Sequence, residues 1–221
     1  NSMDLYIETH KSSDKSERTL YEHQFEVFEV FRDFLEKGNK EGYIKLPTGT
    51  GKTALFLEFL EATDLKSLIV VPTNQLLKQT EDSLEKFAPG KKYGKINKKY
   101  KEFNERLGLT TYASLRSQAD GVEMNPQDYD CLILDEAHMA LGPETKNALA
   151  AFPNALKIGF TATPNFTKGK SVAEILKNEI YNMPVWEAVE KGLLCKPKPI
   201  VLKIPEEAVD LSNVKITAEG N

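Results

Sequence analysis

The chain has 221 residues, 40% of them hydrophobic and 28% charged, with a formal net charge of −4. That length allows one sizeable α/β domain or two small ones, and no apolar run reaches the roughly 18 residues that span a bilayer. Two cysteines, Cys131 and Cys195, cannot build a disulfide framework or a metal site, so a cytoplasmic setting is expected, and the acidic balance confines any nucleic-acid track to one local basic face.

The chain opens Asn1-Ser2-Met3, read as a cloning remnant before a natural start at Met3; residues 1–17 are set aside as that remnant plus an extension. A helix is predicted over Leu20–Lys37, where Phe25, Phe28, Phe31, Phe34 and Leu35 recur at three- and four-residue spacing. A strand Tyr43–Leu46 leads into Pro47-Thr48-Gly49-Thr50-Gly51, and a helix follows to about Ala62. Next come a strand Ser67–Val71, a helix Asn74–Phe87, a basic stretch Lys91–Arg106 and a strand near Leu109–Tyr112. Cys131–Leu134 and Lys157–Thr161 read as buried strands, Val185–Lys191 as a helix, and Ile200–Lys203 as a last strand. Short apolar runs alternating with helical stretches predict an α/β fold, a mostly parallel sheet with helices on both faces. Residues 205–221 show no period and read as a linker or tail.

Gly49-Thr50-Gly51-Lys52-Thr53 falls between a strand and a helix, the context a P-loop requires. Thr48, Gly49, Thr50 and Gly51 would wrap phosphate oxygens, Lys52 would reach the β- and γ-phosphates of ATP, and the Thr53 hydroxyl would bind Mg²⁺. The general pattern's first glycine is replaced by Leu46. About 80 residues on, Leu132-Ile133-Leu134 ends in Asp135-Glu136-Ala137-His138. Carboxyl ends of parallel strands gather at a ligand crevice, so Asp135 is expected on Mg²⁺ and Glu136 on the attacking water. A helix cap alone could also explain such an acid pair.

With these residues the chain resembles superfamily 2 helicases and translocases, in the branch of restriction and excision-repair motors. Pro47 to Thr53 resembles their motif I, Asp135-Glu136-Ala137-His138 their DEAH-type motif II, and Thr161-Ala162-Thr163-Pro164 motif III. Val71-Pro72-Thr73 is similar to motif Ia, Thr110 to Leu115 to motif Ib, and Leu20 to Gln24 to the upstream glutamine motif.

The resemblance implies a RecA-like P-loop domain over residues 18–204. Gln24 would read the adenine edge, since its amide both donates and accepts. His138 would bridge motif II to motif III, and Thr161 and Thr163 would couple hydrolysis to movement. Pro72, Thr73 and Thr111 would contact nucleic-acid phosphates, which position a strand without reading sequence. Lys91, Lys92, Lys95, Lys98, Lys99, Lys101 and Arg106 could line the track, with Tyr93, Tyr100 and Phe103 interleaved for stacking; a solvated face is the plainer reading. A second RecA-like domain of the same protein, DNA more than RNA as track, and a monomeric fragment are expected. An ATP-gated clamp or sensor, or a translocase that never separates strands, shares these motifs.

Overall fold

The computed structural model describes residues 22–117, 124–163, 165–167 and 170–195. The extension at 1–17, the start of the first helix at Leu20, Pro164, the strand Ile200–Lys203 and the tail from 205 lie outside the described residues. The first helix, α1 (Glu22–Glu36), buries Val27, Phe28, Phe31 and Phe34 along one stripe, with Phe25 and Leu35 at its margins. Phe31 packs edge-on against Phe59 at 4.7 Å between ring centroids, a geometry that adds to simple area burial.

The chain continues through β1 (Glu41–Lys45), α2 (Lys52–Ala62), β2 (Ser67–Val71), α3 (Asn74–Phe87), β3 (Gly94–Lys95), β4 (Leu107–Thr111) and α4 (Tyr112–Arg116). It then forms β5 (Cys131–Asp135), α5 (Pro143–Ala150), β6 (Leu156–Thr161), β7 (Asn165–Thr167), β8 (Lys170–Ser171), β9 (Asn178–Asn182) and α6 (Val185–Glu190). Seven strands make one sheet in the order β3-β4-β2-β5-β6-β1-β9, and every pairing in it is parallel. β7 and β8 form a separate antiparallel pair.

Parallel strands covered on both faces read as continuous apolar runs, and the strand residues divide by parity. Ile69, Val71 and Ile133 join the core beneath α1, α2 and α3. Leu68, Val70, Leu132 and Leu134 face the opposite core, with Tyr112 and Leu115 of α4 and Leu149 of α5. Cys131 is buried and Cys195 exposed. No helix among the described residues is long and apolar enough to cross a membrane.

Three differences from the sequence reading have local causes. β4 stops at Thr111 because its hydroxyl accepts the Ser114 amide and caps α4, so Tyr112 begins a helix. β9, an edge strand, is mostly polar: of Asn178–Asn182 only Ile180 is buried, which hides its pattern. α5 carries a weak apolar stripe and starts on Pro143 after Gly142.

Candidate active site

Because the strands run parallel, all their carboxyl ends share one edge of the sheet. β5, β6 and β1 are neighbours there, with Lys45 level with Thr161 and Asp135 level with Phe160. The P-loop after β1, the acid pair after β5 and Thr161 at the end of β6 therefore meet. The Leu46 amide donates to the Thr161 carbonyl at 3.0 Å and ties the loop to β6. Leu46 is 1% exposed, so the residue replacing the first glycine belongs to the core.

Gly49 and Gly51 sit at φ +89° and +83°, a region where a side chain is strained. The Thr50 hydroxyl closes the turn by donating to the Pro47 carbonyl at 2.7 Å. α2 then begins at Lys52 with no side-chain cap on its first turn, leaving amide donors and the positive end of the helix dipole for an anion. Gln24 is 3% exposed, and its amide nitrogen lies 3.7 Å from where a side chain on Gly51 would begin. α1 thus brings Gln24 against the loop.

Across the edge, Lys52 Nζ donates to Glu136 Oε1 at 2.7 Å. Glu136 is the only non-glycine residue at positive φ among the described residues, +47°, and such strain concentrates at functional turns. This conformation turns its side chain towards the P-loop directly after β5. Burial pushes the Asp135 carboxyl up from its ordinary range, and the Lys52 ammonium pulls it back in part. The Glu136 amide donates to Asp135 Oδ1 at 3.0 Å.

His138 Nδ1 stands 3.1 Å from the Thr161 hydroxyl and 3.5 Å from Glu136 Oε2. Thr161 Oγ1 accepts the Thr163 amide and donates to the Thr163 carbonyl, both at 3.1 Å. With a proton on Nδ1, the hydroxyl has two donors and one acceptor, its full complement. Glu136, His138, Thr161 and Thr163 thereby form one chain of contacts between two strands.

Tyr112 carried no separate role in the sequence reading, yet its buried hydroxyl donates to the Asp135 carbonyl at 2.9 Å. It directly follows Thr111 and joins β4 to the acid pair; only a buried tyrosine needing a partner could have signalled it. Further along the same edge, Thr73 accepts the Leu76 amide and Thr111 the Ser114 amide. Both hydroxyls therefore cap helices. Thr73 is exposed, Pro72 half-buried and Thr111 buried.

The basic stretch is less uniform than its composition suggests. Lys91 pairs with Glu61 at 2.7 Å, Lys95 with Glu81 at 3.2 Å, and Arg106 with Asp64. Tyr93 packs on the core and donates to Glu81 at 3.2 Å, and Phe103 packs on the opposite core.

A P-loop whose lysine faces a strand-end carboxylate pair, in a parallel sheet with helices on both faces, is the architecture of a nucleotide-binding domain. The family model described as type III restriction enzyme, res subunit, matches residues 17–166, and the chain belongs to that helicase family. It is similar to the DNA 3'-5' translocase XPB2 of Sulfurisphaera tokodaii, 31% identical over 134 residues, 59% of this chain and 29% of that protein. It is also similar to the ATP-dependent DNA helicase MPH1 of Candida glabrata, 28% identical over 178 residues, 72% of this chain and 17% of that protein. The chain thus spans less than a third of either relative. Among solved structures, the UvsW helicase from bacteriophage T4 shares the fold at a TM-score of 0.60 and 17% identity, over 80% of this chain and 67% of that one. The Sulfolobus solfataricus SWI2/SNF2 ATPase core in complex with dsDNA matches at 0.55 and 24% identity, over 67% of this chain and 33% of that one. The fold is the RecA-like domain of superfamily 2 helicases, and the chain is the ATP-binding motor domain of such an enzyme.

Proposed function

We propose that this domain binds ATP with Mg²⁺ on the P-loop and hydrolyses it by in-line attack of water on the γ-phosphorus. In the intact protein, hydrolysis would drive movement along DNA. The observation that carries this is the convergence of Lys52, Asp135, Glu136 and the His138–Thr161 contact on three adjacent strand ends. Gln24 meets the adenine edge, and the loop Thr48–Thr53 wraps the phosphates. Lys52 exchanges Glu136 for the β- and γ-phosphates and offsets charge developing there. Glu136, released, orients the water and accepts its proton.

Thr53 and Asp135 would hold Mg²⁺, which would supply charge neutralisation for the phosphates. The donor set fits: Asp135 is a half-buried carboxylate only partly compensated by Lys52. Among the described residues no group of three metal-binding side chains stands together, and Mg²⁺ commonly takes one or two carboxylates alongside phosphates and water. His138, Thr161 and Thr163 relay the state of Glu136 to a second RecA-like domain, which would supply the remaining charge stabilisation. As a monomeric fragment the domain turns over slowly. Translocation without strand separation is the second reading, favoured by the restriction-enzyme family match and the translocase relative.

The test is calorimetric titration of Mg²⁺-ADP and a non-hydrolysable ATP analogue into the chain and into Lys52→Ala, with ATP turnover measured alongside. Binding by the parent and its loss in Lys52→Ala support the reading. Failure of the parent to bind, in this chain and in the longer protein, would remove the ATPase assignment.

A further inference from the structure

The chain leaving α6 bears on the P-loop from outside the residues assigned to the nucleotide. The Leu193 and Leu194 amides both donate to the Ala188 carbonyl, at 2.9 and 3.1 Å, which folds this short strap back on α6. Leu193 and Leu194 pack against the core beneath α1 and α2. Leu194 Cδ2 lies 3.3 Å from where a side chain on Gly49 would begin, so an apolar group from far along the chain rests on the loop.

The strap is held by Lys191, the residue directly after α6. Its ammonium donates to both carboxylate oxygens of Glu26 on α1, at 3.0 and 2.8 Å, and meets Glu187 at 3.3 Å. The Tyr181 hydroxyl of β9 donates to Glu26 Oε2 at 2.9 Å. Burial and that carboxylate push the Tyr181 phenol up, so it stays a donor. Glu26 therefore gathers β9 and the end of α6 onto α1. Phe28, Phe31 and Phe34 bury α1 in the core, which makes the helix the anchor and the strap the part that is held. Two positions before Glu26 stands Gln24, against Gly51. α1 thus reaches the loop twice: directly at Gly51, and through Glu26, Lys191 and Leu194 at Gly49.

A glycine-rich loop has more backbone freedom to lose than other chain segments, and ordering it at the moment of binding weakens affinity. We infer that Lys191 and Glu26 are positioning residues for the nucleotide: the ion pair keeps Leu194 on Gly49 and so keeps the P-loop in its phosphate-receiving shape before ATP arrives. Both charges act through Leu194 rather than by touching the nucleotide. The inference rests on the reading of this loop as the ATP site.

The test is calorimetric titration of Mg²⁺-ADP into the parent chain, Lys191→Met, Lys191→Arg, Leu194→Ala and the double variant Lys191→Met/Leu194→Ala, with thermal melting alongside. Lys146→Met is the control: it breaks the Lys146–Glu174 pair, whose side chains are 35% and 39% exposed against 33% and 43% for Lys191 and Glu26. Pairs this exposed contribute little to stability, so both Met variants should melt within about 2 °C of the parent. Affinity should fall roughly three- to tenfold in Lys191→Met and in Leu194→Ala, and no further in the double variant, because the two residues act as one unit. Lys191→Arg keeps a cation for Glu26 and should bind like the parent, as should Lys146→Met. Leu194→Ala leaves the ion pair in place and carries the test should Lys191→Met fail to fold. Parent-like affinity in Leu194→Ala or in folded Lys191→Met overturns the inference. So do an equal loss in Lys191→Arg or Lys146→Met, and losses that multiply in the double variant; the ATP reading stands in each case. A parent that binds no Mg²⁺-ADP, in this chain and in the longer protein, removes the ATP site and the strap's role together.

Discussion

Glu136→Gln should tighten nucleotide binding while stopping hydrolysis. In this structure Lys52 is held by Glu136 at 2.7 Å, so an incoming triphosphate must break that contact first. At this separation and an effective dielectric of 20, the bare attraction is about 6 kcal/mol. Most of that is offset, because the Lys52 and Glu136 side chains retain 10% and 25% exposure and each must give up solvent to pair. A net contribution of about 1–2 kcal/mol remains, between typical exposed and buried pairs. Neutralising Glu136 releases that hold, which corresponds to roughly 5- to 30-fold tighter binding of a Mg²⁺-ATP analogue. The assay is calorimetric titration of parent and Glu136→Gln, with thermal melting to confirm the fold and single-turnover hydrolysis to confirm the block. An analogue affinity equal to or weaker than the parent's, in a folded variant, would refute the reasoning. It would mean that the Lys52–Glu136 contact does not compete with phosphate.

Gly51→Ala forces an alanine into φ +83° at a cost of about 1–2 kcal/mol; the melting temperature should fall by about 2–8 °C, with nucleotide binding weakened. Tyr112→Phe removes the donor to the Asp135 carbonyl and should cost about 1–2 kcal/mol in urea unfolding; in the intact motor, DNA stimulation of turnover should fall more than basal turnover. Glu58 in α2 is buried, and burial, with Glu61 nearby, raises its carboxyl above the ordinary range against the pull of Lys91. A raised carboxylate lowers stability as pH climbs from the unfolded value to the native one, and the full penalty persists above. Glu58→Gln should therefore melt about 1–4 °C higher at neutral pH, an advantage that disappears in acid melts below the ordinary glutamate range.

Much of the fold was legible because its strongest elements are local in cause. Ser67–Val71 is an unbroken aliphatic run and Asn74–Phe87 a capped amphipathic stretch, and both appear with the expected bounds. The elements that escaped show too weak an apolar pattern of their own. β9 has only Ile180 to show and exists because β1 presents an open edge. α4 displaces the end of a predicted strand because the Thr111 side chain turns the backbone.

The site divides along the same line. Sequence alone determined which residues are candidates for the chemistry, because glycines, a lysine and paired acids at strand ends are what phosphate binding and sheet topology require. Tertiary structure decided how they are joined: the Lys52–Glu136 contact spans 84 positions, and Tyr112 reaches Asp135 across 23. It also decided which lysines of the basic stretch are neutralised by carboxylates. Residue type records what a group can do, but its charge environment is set by neighbours that only folding brings within a few ångströms.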